Sequence, residues 1–147
     1  MASGWTNKGK YKTLGWSFRG ETTPTVFYLR LCTSAATPTV DFNTASEVTE
    51  ITAGTGYTAG GASVSRNSTD WDVWTEDDTA DEGYIQLKDF AWTASGGSIS
   101  GARWALLTDD NGTDASRELY AWWDLTSDRT VTDGQTLTLQ NCELKIT

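Results

Sequence analysis

The stretch that decides the fold is Phe90 to Asp110, FAWTASGGSISGARWALLTDD. Phe90, Trp92 and Ala94 alternate on the way into a Ser-Gly-Gly segment. Ala102, Trp104 and Leu106 alternate on the way out, with Arg103 and Ala105 on the other face. Alternate side chains of a strand point to opposite faces, so period-two alternation around a Gly-Gly breaker is a hairpin pattern. Gly96 and Gly97 can adopt the positive backbone dihedrals of a tight turn without a side-chain clash. The expectation is a paired ribbon turning at these glycines, its inner face carrying two tryptophans.

Working outward, other segments read as strands of the same sandwich. In residues 25–32, TVFYLRLC, the expectation places Val26, Tyr28 and Leu31 inward and Arg30 outward. Residues 46–51 resemble a short edge segment, 62–65 and 70–75 read as strands, and either Trp71 or Trp74 must face away from the core. An acidic turn at 76–82, EDDTADE, leads to a strand at 83–89 with Ile85 and Leu87 inward. Between Leu87 and Phe90 the alternation slips by one residue, the mark of a bulge or of a strand crossing between sheets. Residues 118–125, ELYAWWDL, alternate cleanly. Asp133-Gly134 turns the chain, and a second slip at Asn141 separates Leu137 and Leu139 from Cys142, Leu144 and Ile146.

These strands, about eight in number with turn residues between them, define an all-β protein: an antiparallel β-sandwich, jelly-roll or immunoglobulin-like. Residues 1–20 read as an N-terminal arm or short helix and 21–147 as a single sandwich domain, the size of an ordinary one-core domain. In 6–20, Tyr11, Leu14 and Phe18 fall at helical spacing, with Thr6 or Asn7 as a cap and Gly20 as a stop. Leu14, Trp16 and Phe18 would also alternate on a strand, and Gly9 and Gly15 weaken a helix; the short helix is the preferred reading.

A net charge of −9 argues against phosphate neutralisation and hence against nucleic acid as the main partner. No run approaches the length of a membrane span. The N-terminus, MASGWTNKGKYK, lacks the apolar core of a signal peptide, so synthesis and folding in a cytoplasm are expected. In that reducing compartment Cys32 and Cys142 are expected as two buried thiols rather than a disulfide. The motifs at Asn67 and Asn111 match the glycosylation pattern without a secretion signal to support them.

The chain contains no histidine, which removes Ser-His-Asp and Cys-His constellations. Two distant cysteines make a poor zinc set. The glycine-rich loop at 54–62, GTGYTAGGA, lacks the Gly-Lys-Ser/Thr of a phosphate loop; its plain reading is a tight fold with Tyr57 packed down. Asp70, Asp72, Glu76, Asp77, Asp78, Asp81, Glu82, Asp109, Asp110 and Asp114 are abundant carboxylates, but a glycosidase needs two of them across a cleft. Asp109, Asn111 and Asp114 could supply oxygens to a structural calcium, though not at EF-hand spacing. No cofactor or catalytic residue is expected, and the protein is read as non-enzymatic. Among eight tryptophans, Trp5, Trp71 or Trp74, and Trp122 are candidates for exposure, where they would serve either a subunit contact or a sugar.

The runs EVTEITAGTGYTAGGASVSR, DWDVWTEDD, KDFAWTASGGSISGARWALLTDDN and LYAWWDLTSDRTVTDGQTLTLQNCELKI resemble a set of small structural proteins encoded by tailed bacteriophages. The resemblance spans nearly the whole chain. It implies a multicopy virion component made in the host cytoplasm, and a compact acidic sandwich suits a capsid decoration (cement) protein whose partners are the major capsid protein and copies of itself. A minor tail or fibre-associated protein, or a carbohydrate-binding receptor module for a host glycan, is the alternative. The expected contact residues are Trp5, Lys8, Lys10, Tyr11 and Lys12 of the basic aromatic N-terminal stretch, together with Tyr57, Trp74 and Trp122.

Overall fold

A computed structural model describes all residues, Met1 to Thr147. In chain order the elements are β1 (Ser3–Trp5), α1 (Asn7–Phe18), β2 (Val26–Cys32), a 3-10 turn (Ala45–Glu47), β3 (Ala62–Ser65), β4 (Val73–Asp77), β5 (Glu82–Leu87), β6 (Phe90–Thr93), β7 (Ile99–Thr108), β8 (Leu119–Val131), β9 (Thr136–Leu139) and β10 (Cys142–Ile146). All strand pairs are antiparallel. A five-stranded sheet, β1-β8-β7-β2-β3, packs against two smaller ladders, β10-β5-β4 and β6-β9. The chain is thus the mostly-β, sandwich-like fold its alternation implies, with one α-helix. That helix is neither long nor apolar enough to cross a membrane.

The main core lies between the layers. Phe27, Leu29 and Leu31 of β2, Ala105 and Leu107 of β7 and Ala121 and Trp123 of β8 meet Leu87, Phe90, Trp92, Leu137, Leu139, Cys142 and Leu144 from the opposite side. Two indoles bind the layers together: Trp123 Nε1 donates to Glu143 O at 2.9 Å and Trp5 Nε1 to Lys145 O at 2.8 Å. These carbonyls lie on β10, the edge strand of its ladder, so two tryptophans cover main-chain acceptors that an edge would leave bare. A second, smaller cluster of Cys32, Val48, Trp104, Leu106 and Leu119 occupies the outer face of the five-stranded sheet, with Phe42 and Trp122 packed against it. Segment 33–51 therefore closes over one side of a sheet that is already buried on the other.

The decisive stretch folds differently from the expected hairpin. Phe90, Trp92, Ala94, Ala102, Trp104 and Leu106 are all buried, although Trp104 and Leu106 face the second cluster on the outer side of the sheet while Ala105 and Leu107 take the main-core side, the reverse of the expected faces. But β6 pairs with β9, Phe90 opposite Leu139, while β7 lies between β2 and β8. Residues 94–98 carry the chain from one layer to the other. Gly96 does take a positive φ of 73°, whereas a Cβ on Gly97 would stand 2.7 Å from Thr55 Cγ2. Alternation reports which residues are buried, and Gly-Gly reports a change of direction; neither names the neighbouring strand.

The two slips in alternation prove to be a single event. Leu87 faces Cys142 before the break and Phe90 faces Leu139 after it, so both strands advance three residues and the register is kept. Asn141 supplies the kink with φ 55°, and Gln140 Nε2 donates to Asp89 Oδ2 across it at 2.8 Å. The ribbon thereby passes from one ladder into the next with its apolar face still inward.

Arg30 is the largest correction inside the sheet. It was expected outside; it is 1% exposed, and the inward set of β2 is Phe27, Leu29 and Leu31 rather than Val26, Tyr28 and Leu31. The outer face to which Arg30 points is covered by the loops that bring Glu50 and Asp114 against it.

The N-terminal stretch is a helix, as preferred, and Thr6 caps it. Its hydroxyl accepts from Gly9 N at 2.9 Å and donates to Leu119 O at 2.6 Å, so the cap also anchors the helix to β8. A Cβ on Gly9 would lie 2.1 Å from Tyr120 O. The residue that weakens the helix locally is therefore the one that lets it sit on the sheet. In front of it, β1 pairs with β8, Ser3 opposite Trp123, and joins the five-stranded sheet.

Candidate functional site

Seating α1 on its glycines turns its apolar stripe outward. Gly9 and Gly15 are buried and Trp16 packs on the core, while Tyr11, Leu14 and Phe18 are 66%, 59% and 82% exposed. Lys10 and Arg19 are exposed along the same helix and its C-cap. Lys8 and Lys12 instead reach back to Glu118, at 3.7 and 3.3 Å. Of the expected basic contact residues, Lys10 and Tyr11 remain available, and Lys8 and Lys12 are engaged within the chain.

Beside α1 opens a groove of about 800 Å³. Its floor is an aromatic trio held by mutual packing: Trp16, Phe27 and Tyr120, with ring centroids 5.4–5.9 Å apart and steep interplanar angles. Trp5 and Trp71 continue the wall, and Trp74, on the edge strand β4, stands at the rim 86% exposed. One tryptophan of residues 71–74 was expected to face away from the core; it is Trp74. The polar lining comes from Thr13, Ser17, Thr23, Arg66, Asn67 and Ser68, and no carboxylate lines it. Arg66 forms none of the ion pairs that engage most of the other cations.

Two other expected contact residues lie elsewhere. Tyr57 is buried, contrary to its reading as a contact: Leu31 N donates to its hydroxyl at 3.0 Å, and that hydroxyl donates to Glu50 Oε1 at 2.6 Å. Burial first, then the bond to Glu50, raises its pKa. Its alternative reading, a tyrosine packed down by the glycine-rich loop, is the one the structure shows. Trp122 is half-buried over the backbone of Gly4, where a Cβ would come within 2.2 Å of its ring, and it borders a separate recess with Leu14, Val40 and Ile146.

Tyr57 belongs to a closed polar cluster that sequence reading missed. Glu50 accepts from Arg30 at 2.5 Å, Tyr57 at 2.6 Å and Gly60 N at 2.7 Å. Asp114 adds a contact to Arg30 at 3.1 Å and to Arg117 at 3.3 Å. Burial works against the Arg30 charge, but hydrogen bonds to Glu50 and Asp114 outweigh it and its pKa is raised. The cluster pins the glycine-rich loop and the acidic loop to β2.

The acidic loop is used internally too. Asp109 Oδ1 accepts from Glu118 N at 3.0 Å and Asn111 N at 3.3 Å, and its Oδ2 from Tyr120 at 3.3 Å. Asn111 Nδ2 donates to Ser116 O, while Asp114 turns to the arginines. The three calcium candidates thus serve different partners and do not converge, and nowhere do three or more Cys, Asp or Glu side chains gather in a way that could hold a metal ion. Cys32 and Cys142 are free, buried thiols, each pushed up to about 12 by desolvation.

Searches against family models, curated proteins and solved structures gave no match to this chain.

Proposed function

We propose that this protein is a non-enzymatic structural component of a tailed-phage virion, a capsid decoration protein that docks on the shell through the outward face of α1. The observation that carries this reading is the exposed Tyr11, Leu14 and Phe18 on a helix rigidly capped and seated by Thr6 and Gly9. An ordinary surface helix turns such residues inward. Covering each would contribute on the order of 1.5–3 kcal/mol before association costs, and repetition over many copies multiplies a modest contact. Lys10 and Arg19 frame the stripe on a chain of net charge −9, which suits an acidic patch on the major capsid protein. The resemblance to small phage structural proteins supports the setting.

The test is occupancy. Deleting residues 1–12 would remove β1 and the Thr6 cap, so point substitutions are the sharper tool. Phe18→Glu and Leu14→Glu should leave the fold intact and strip the protein from purified particles, read by quantitative mass spectrometry. Unchanged occupancy in both variants would remove α1 as the contact. A few copies per particle, instead of many, would place the protein in the tail.

A further inference from the structure

We propose that the aromatic groove beside α1 binds an acidic oligosaccharide, one pyranose ring stacked on the indoles and its carboxylate held by Arg66. The inference is independent of the docking reading, which uses the opposite, outward residues of the helix.

Size and shape come first. About 800 Å³ lies within the range of small-molecule sites and accommodates a short saccharide. A pyranose presents an apolar C–H face and a rim of hydroxyls. The groove presents the matching pattern: a floor of Trp16, Phe27 and Tyr120, then hydroxyl and amide groups of Ser17, Asn67 and Ser68 around it. The packed trio fixes the floor in advance, which lowers the ordering cost of binding. Trp74, exposed at the rim, is placed to close over a ring.

Charge selects the ligand class. Arg66 is the one charged residue lining the groove. Arg30, Arg103 and Arg117 each pair with a carboxylate of the chain; Arg19, Arg66 and Arg129 do not, and of these three Arg66 is the one that lines the groove. With twenty acidic side chains against eleven basic ones, such an unpaired guanidinium marks a local exception to the acidic surface. A guanidinium grips a carboxylate through two parallel hydrogen bonds, and a neutral sugar gains nothing from it. The surrounding negative field repels polyphosphates, which leaves a singly charged sugar acid as the fitting occupant.

The experiment titrates the full chain with two singly charged saccharides, 3′-sialyllactose and cellobiouronic acid, with lactose and cellobiose as neutral controls, read by tryptophan fluorescence and calorimetry. Saturable binding of an acidic probe, roughly tenfold or more tighter than its neutral control, is expected, matching one charge-assisted contact. Raising the salt should weaken it. Arg66→Gln should bring the acidic probe down to the level of the neutral one, and Trp74→Ala should weaken both. Each residue is exposed, and near-ultraviolet circular dichroism verifies the fold of both variants. The proposal is overturned by absence of saturable binding of both acidic probes up to about 10 mM, a range that reaches weak millimolar affinities. Arg66→Gln binding as tightly as the parent overturns it too, as does self-association in which a second copy fills the groove.

Discussion

Arg30 and Arg66 lie beyond opposite ends of the β2–β3 ladder and have opposite fates. Arg30 is enclosed, and Glu50, Asp114, Tyr57 and the Gly60 amide complete a network around it. Arg66 is open, faces an aromatic groove and has no carboxylate partner in the chain. Both regions mix charge with aromatic rings. The difference teaches that this protein pairs its charges where loops must be pinned, even though Arg30 Nε and Arg117 Nε stay without a partner there, and leaves a charge unpaired where a partner could reach. The outward stripe of α1, Tyr11, Leu14 and Phe18, is its apolar counterpart, equally open.

The comparison is broken most directly at Glu50. Glu50→Ala leaves the Arg30 charge buried with only Asp114, and should cost about 3–5 kcal/mol by denaturant unfolding. Tyr57→Phe leaves the buried Leu31 N without its Tyr57 acceptor, while Glu50 Oε1 keeps Gly60 N, an expected loss of roughly 1–3 kcal/mol in the same assay. Should either substitution prove neutral, the network would not be what holds the two loops.

A smaller effect is expected with acid. The Lys88 ion pair, foremost, and the Ser65 amide hold Asp70 below its ordinary pKa. Its contribution is therefore complete above the normal aspartate range and declines as pH falls through that range toward the lowered folded value. Asp70→Asn should flatten this acid limb of the stability curve; an unchanged limb would deny the pair its role.

At the open sites almost no stability change is expected. Arg66→Gln, Trp74→Ala and Phe18→Glu should each stay within about 0.5 kcal/mol of the parent, because none touches the core network. Binding, not folding, should register them. A large loss of stability in any of the three would show that these residues hold the fold.

Much of the fold was legible because burial leaves a local trace. Most of the strands, a cap at Thr6 or Asn7 and both slips in alternation are legible in neighbouring residues and are present, with Thr6 as the cap. The edge segment read at 46–51 is instead a 3-10 turn, Ala45–Glu47, followed by a single bridge from Glu50 to Cys32, and the strand read at 70–75 begins only at Val73. What was illegible depends on partners far along the chain. Glu50 and Asp114 lie 20 and 84 positions from Arg30, so nothing near Arg30 announces its burial. The hairpin failed for the same reason: β9 is remote from β6 in sequence, and Gly-Gly looks alike in a turn and in a crossing. The helical spacing of Tyr11, Leu14 and Phe18 was correct, but which side they take is set by the contact of Gly9 with Tyr120. The groove gathers residues from α1, β2, β4, β8 and the Arg66–Trp71 segment; only the surplus of tryptophans hinted at it.

The central claim is that the chain works by contact through α1, and copy number in purified particles tests it most directly. The account predicts many copies per particle for the parent and a near-complete loss for Phe18→Glu at unchanged stability. A chain absent from particles, or one whose occupancy ignores Phe18 and Leu14, would contradict it.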